Sequence, residues 1–164
     1  MSYLSIPELV EEVATELKTL GLKLATAESC TGGLIAGACT DISGSSDWFE
    51  RGFVTYSNAA KTELLDVPAA LIGVHGAVSE AVAQAMAAGA LRHSHAQLAL
   101  AVTGVAGPTG GSPDKPVGTV CFGWATPDGV FSEQLRFAGD RAQVRHACVQ
   151  HALAGLLLRL PQDA

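Results

Sequence analysis

The chemistry in this chain is concentrated in a few short runs of residues. The first is Glu28-Ser-Cys-Thr-Gly-Gly33, where an apolar stretch hands over to a helical pattern. It sets the Ser29 hydroxyl beside Cys30, Thr31, Gly32 and Gly33, at the unpaired N–H groups of a helix start. Such groups suit a phosphate or the oxyanion of an acyl-transfer transition state. Ser29 is therefore either a nucleophile or a helix cap, and Glu28 either sits on the helix dipole or faces water. Cys30 is a second nucleophile in principle. With no histidine nearby in sequence to activate it, burial behind the serine is the simpler reading.

Lys61, one of only four lysines, stands among Ala59, Ala60, Leu64 and Leu65. Partial desolvation there would lower its pKa, and a neutral lysine can take the proton of a serine hydroxyl. The alternative is a surface lysine with its stem along apolar neighbours. Tyr56 and Ser57 beside it either orient the amine or cap a helix. The run from Gly104 through Gly107 to Gly111 resembles a phosphate cradle only loosely, since it lacks the Gly-Lys-Ser/Thr ending of a nucleotide-binding P-loop. Arg141 and Arg145, four residues apart, share a helical face. They clamp a phosphate or carboxylate, or they pair with Asp140 and other acids. The five histidines and four cysteines show no metal-site spacing, so no metal is expected.

Elements that alternate between strand and helix must position these runs. Ser5-Ile-Pro-Glu8 is a helix-start signature, followed by apolar residues at helical spacing from Ile6 to Leu20 and a terminating Gly21. Strands are expected at 23–27, 49–56, 97–103, 117–126 and 130–137, the last two joined by Pro127-Asp-Gly129. Helices are expected at 32–40, 58–65, 80–93 (capped by Ser79) and 140–160. This order predicts a three-layer α/β/α sandwich with a mixed sheet of about five strands. The segments Glu28–Gly33, Thr55–Lys61 and Thr103–Gly111, which hold Ser29, Tyr56 and Thr103, each come at the end of a strand. Their loops should converge at one end of the sheet, where ligands bind in open α/β folds.

Bulk composition narrows the classes further. A length of 164 residues fits one domain, 1–164, with a single core. Only 16% of residues are charged, against 48% apolar, which leads us to expect a surface partly covered by a second copy in a homo-oligomer. The net charge of −6 and the absence of any run of Lys or Arg disfavour nucleic-acid binding. Neither a leader nor an apolar span of about 20 residues is visible, so no membrane association is expected. Cys30, Cys39, Cys121 and Cys148 lie far apart in apolar surroundings, which reads as free thiols in the cytoplasm.

Taken together, Ala27-Glu-Ser-Cys-Thr-Gly-Gly33, Tyr56-Ser-Asn-Ala-Ala-Lys61, Gly76-Ala-Val-Ser79, Thr103-Gly-Val-Ala-Gly-Pro108 and Gly139-Asp-Arg141 resemble the CinA C-terminal domain family. The resemblance runs over nearly the whole chain, and the motifs come in the family's order. It implies a stand-alone domain without the nucleotide-processing N-terminal domain that some members carry. The implied activity is hydrolysis of the carboxamide of nicotinamide mononucleotide (NMN) to nicotinate mononucleotide and ammonia, in pyridine-nucleotide recycling, with no cofactor. Carried over by motif, Ser29 would be the nucleophile and Lys61 its base. Tyr56 and Thr103 would assist, and Arg145 or Arg141 would hold the substrate. Backbone N–H groups from Thr31 to Gly33 would receive the oxyanion, and the glycine loop the phosphate. Two other readings share these motifs: a non-catalytic nucleotide-binding or regulatory module, and an amidase acting on a different small amide.

Overall fold

The computed structural model describes residues 4–162; residues 1–3, part of the N-terminal stretch read for a leader, lie outside it. Eleven principal elements are described, in the order α1 (Ile6–Leu20), β1 (Leu24–Glu28), α2 (Leu34–Thr40), β2 (Phe49–Val54), α3 (Asn58–Leu65), α4 (Ala69–His75), α5 (Glu80–Arg92), β3 (Leu98–Gly104), β4 (Thr119–Thr126), β5 (Gly129–Arg136) and α6 (Arg141–Leu158). The expected caps form: Ser5 and Glu8 make a reciprocal capping box on α1, Gly21 closes it in the left-handed region, and Ser79 caps α5. The helix α4 has no counterpart in the sequence reading. It is seven residues long, only Ile72 on it is buried, and Pro68 opens it without a side-chain cap, so it carries little periodic signal.

The sheet order is β2-β1-β3-β4-β5, with β1 parallel to both neighbours and the last two pairings antiparallel. This is the mixed five-stranded sheet of a three-layer α/β/α sandwich. One face packs Leu24, Leu98, Leu100, Val102, Phe122 and Trp124 against α1, α2 and α6. The opposite face presents mainly alanines (Ala25, Ala27, Ala99, Ala101 and Ala125) to α3, α4 and α5. The asymmetry has a steric cause. A Cβ at Gly123 would lie 2.4 Å from the Ala83 carbonyl oxygen, and one at Gly89 would lie 1.9 Å from that of Leu65. The Ala-rich α5 therefore sits directly on the sheet and on the end of α3, where larger side chains would hold the layers apart.

Register decides where the chemistry emerges. Glu28 pairs with Val54 on one side and Val102 on the other, so Ser29 and Thr55 leave the sheet at the level of Thr103, near the end of β3. The chain after β1 goes to β2 on one flank, and β3 lies on the other. The carboxyl end of β1 is thus a switch point of the kind where open α/β sheets bind ligands.

Candidate active site

Ser29 and Lys61 are brought together at this switch point. The Ser29 N–H donates to the Val102 carbonyl (3.0 Å), which extends the β1–β3 pairing by one residue and sets the serine at the sheet edge. Lys61 lies on the buried side of α3, whose start is capped by the Ser57 hydroxyl through the Ala60 N–H (3.0 Å). Its Nζ lies 3.1 Å from Ser29 Oγ and donates to the Tyr56 carbonyl at 3.3 Å. The Ser29 hydroxyl faces the same carbonyl at 3.4 Å. Lys61 is 1% exposed and Ser29 7%. No carboxylate pairs with Lys61 among the described residues. Burial holds the Lys61 pKa below its ordinary value, opposed to a smaller extent by the neighbouring Cys30. The pair has the separation and the desolvation that a serine nucleophile and an amine base require.

Both residues open into a cleft of about 230 Å³ lined also by Cys30, Tyr56, Thr103, Gly104 and Arg141. Tyr56 is 64% exposed, with its hydroxyl 3.5 Å from the Arg141 guanidinium at the cleft mouth. Arg141 also donates to the Gly107 carbonyl (2.8 Å), which ties α6 to the glycine loop. Gly107 itself does not line the cleft; Gly104 and Ala106 do. The Thr103 hydroxyl is committed to the Ala77 carbonyl at 2.9 Å. Cys30 is buried as expected, 6% exposed and part of the main core, although it also borders the cleft; no histidine is among the lining residues. Its pKa is lowered chiefly by hydrogen bonding from the Cys148 thiol.

The turn Cys30–Gly33 is organised differently from the sequence expectation. Gly32 (φ 56°) and Gly33 (φ 106°) take left-handed backbone to reverse the chain into α2. The N–H groups at the start of α2 are occupied by the chain's own Glu28. Its carboxylate accepts from Ile35 N–H at 2.9 Å and Ala36 N–H at 3.0 Å, and from the Thr31 hydroxyl. The Gly32 N–H is turned onto the Ser29 carbonyl (3.1 Å). Thr31, Gly32 and Gly33 are absent from the lining of the Ser29 cleft. The two arginines also part company despite their shared helical face. Arg145 points under the turn, donating to the Cys30 carbonyl at 3.1 Å and the Thr31 carbonyl at 3.3 Å, and lines a separate groove of about 520 Å³ between α2 and α6. Asp140 caps α6 through the Gln143 N–H (2.9 Å) instead of pairing with either arginine.

Asn58, Ala77 and Val78 also line the cleft, and sequence reasoning gave none of them a role. The motifs Tyr56-Ser-Asn-Ala-Ala-Lys61 and Gly76-Ala-Val-Ser79 contained them. Their placement depends on how α3 and the start of α5 seat against β3, which spacing along the chain does not encode. Among the described residues, no group of three or more His, Cys, Asp or Glu is arranged to hold a metal ion. No described helix is long and apolar enough to cross a membrane.

A buried serine–lysine pair at the switch point of a mixed α/β sheet defines the candidate site. The family model for the CinA C-terminal domain matches residues 7–160, and the chain belongs to that family. A protein of Pseudomonas putida named nicotinamide-nucleotide amidohydrolase PncC is 53% identical over 152 residues, which is 93% of this chain and 95% of that one. A competence-damage inducible protein of Symbiobacterium thermophilum is 53% identical over 155 residues. The match takes in 89% of this chain but spans only 36% of that relative's length. Among solved structures, the competence/damage inducible protein CihA of Agrobacterium tumefaciens superposes with a TM-score of 0.91 at 47% identity, covering 96% of this chain and 98% of its own.

Proposed function

We propose that this chain hydrolyses the carboxamide of nicotinamide mononucleotide, with Ser29 as nucleophile and Lys61 as general base. The observation that carries the reading is the 3.1 Å approach of Lys61 Nζ to Ser29 Oγ in a buried setting that favours the neutral amine. The relative named nicotinamide-nucleotide amidohydrolase, matched over nearly its full length, supports the choice of substrate.

In this reading neutral Lys61 takes the Ser29 proton as Oγ attacks the carboxamide carbon. The Cys30 N–H, on the one residue of the turn that lines the cleft, is the candidate oxyanion donor, an interaction worth about 3 kcal/mol in such sites. Protonated Lys61 returns the proton to the amide nitrogen as the C–N bond breaks and ammonia leaves. The resulting ester is then cleaved by a water that Lys61 deprotonates, which releases nicotinate mononucleotide and regenerates Ser29. Arg141, at the cleft mouth beside Tyr56 and the glycine loop, takes the phosphate. Every step uses groups of the chain and water. The sparse charge of the sequence, with Leu34, Val54 and Tyr56 exposed near the site, supports a homo-oligomer.

The decisive experiment is ammonia release from NMN by the wild type, compared with Ser29→Ala and Lys61→Ala and with free nicotinamide as competitor. Turnover of NMN that needs both residues and is not inhibited by nicotinamide supports the proposal. Failure to turn over NMN overturns it.

A further inference from the structure

Glu28 is a buried carboxylate, 1% exposed, with no cationic partner among the described residues. Such a group is costly to bury unless donors satisfy it, and three do so here: Ile35 N–H, Ala36 N–H and the Thr31 hydroxyl. Its backbone is held as firmly, since its carbonyl accepts from the Thr55 N–H at 2.8 Å. One residue therefore locks the end of β1 to the strand beside it and to the start of α2. Ser29 is the next residue in the chain. Arg145 completes the arrangement from the other side by donating to the carbonyls of Cys30 and Thr31. The turn after the serine is held between Glu28, which accepts from the Thr31 hydroxyl and the α2 N–H groups, and Arg145, which donates to the turn's carbonyls.

We propose that Glu28 is the positioning residue for Ser29: an internal anion that closes the turn onto α2 and so sets where Oγ points relative to Lys61. The inference rests on Ser29 being the nucleophile. A carboxylate is required because it only accepts hydrogen bonds, and three donors converge on it. A glutamine would turn a donating NH₂ toward at least one of them. Glu28 does not touch the cleft, so its loss should disturb the rate of attack and leave substrate binding largely intact.

The test compares wild type, Glu28→Gln and Thr31→Val. The readouts are kcat and KM on NMN, the rate at which a small sulfonyl fluoride labels Ser29 (followed by intact mass), and thermal unfolding. Glu28→Gln should lose about 10- to 100-fold in kcat and in labelling rate together, with KM within about threefold of wild type. Thr31→Val removes one donor and keeps the cap, and should shift the same two readouts by a smaller factor. Folded variants with wild-type kcat and labelling overturn the proposal, as does a defect confined to KM. If Glu28→Gln does not fold, Thr31→Val decides by the same criteria. Behaviour of the wild type separates the two claims. If it is labelled at Ser29 without turning over NMN, the substrate reading fails while the labelling comparison still decides the role of Glu28.

Discussion

Lys61 Nζ stands 3.1 Å from Ser29 Oγ, although 32 positions separate the two residues in the chain. The contact joins the end of a central strand to the inner face of a short helix, and among the described residues no carboxylate pairs with the amine. Its expected consequence is direct. Ser29→Ala and Lys61→Ala should each lower ammonia release from NMN by about a thousandfold or more while keeping a native circular-dichroism spectrum. Near-full activity in either variant removes that residue from the mechanism.

The same contact predicts a pH dependence with a definite sign. Lys61 must be neutral to accept the serine proton, and burial holds its pKa below the ordinary 10.5. Accordingly kcat/KM should rise with pH through that lowered pKa and then level off. A flat profile from neutral to mildly alkaline pH would argue against a lysine base.

Stability of the wild type should rise with pH in the same sense as activity. With a folded-state pKa below the unfolded one, the unfolded chain binds more protons between the two values, so stability falls as pH drops through that window. Below the folded pKa the wild type carries the full cost of a buried ammonium. Lys61→Met should therefore be inactive yet unfold a few degrees higher near neutral pH, with the advantage shrinking as pH approaches 10.5. Matched melting curves across that range decide the point.

Arg141 and Arg145 should separate kinetically. Arg141 lies at the cleft mouth, so Arg141→Ala is expected to raise KM for NMN by about 10- to 100-fold, in line with 1.5–3 kcal/mol for hydrogen bonds to a charged group. Arg145 supports the backbone carbonyls after Ser29, so Arg145→Ala should act mainly on kcat. Steady-state kinetics that reverse this assignment would return the phosphate to Arg145.

Close layer packing supplies a prediction away from the site. A methyl at Gly89 would meet the Leu65 carbonyl oxygen at 1.9 Å, inside any tolerable contact. Gly89→Ala should cost about 1–3 kcal/mol, read as a lower urea midpoint with unchanged m-value. An unaltered midpoint would show that α5 is free to shift outward.

Much of the architecture was legible along the chain because it rests on short-range rules. The Ser5–Glu8 capping box, the Gly21 stop, the Ser79 cap and the apolar run of β3 are all local signals, and the structure places each as read. Alternation of strand and helix, with a late hairpin, was enough for the three-layer class. The weakest local signal failed: α4 buries a single residue and has no side-chain cap, so nothing periodic marks it.

The reactive candidates were also visible as residue types. Ser29 and Lys61 stood out by their glycine-rich or apolar neighbours, Tyr56 by its place beside Lys61, Arg141 by its spacing from Arg145, and Thr103 through the family motif. What only the tertiary structure decided is which partner each polar group takes. A helix start attracts any anion, and composition does not say whether that anion is a substrate or the preceding glutamate. In this protein Glu28 reaches it first, because β1 delivers its carboxylate within 3.0 Å of the α2 N–H groups. Two arginines four residues apart share a helical face along the chain, yet Arg141 reaches the cleft while Arg145 reaches the carbonyls of the turn. Periodicity along a chain records which side of an element faces inward. Competition among nearby donors and acceptors is settled only when the elements meet.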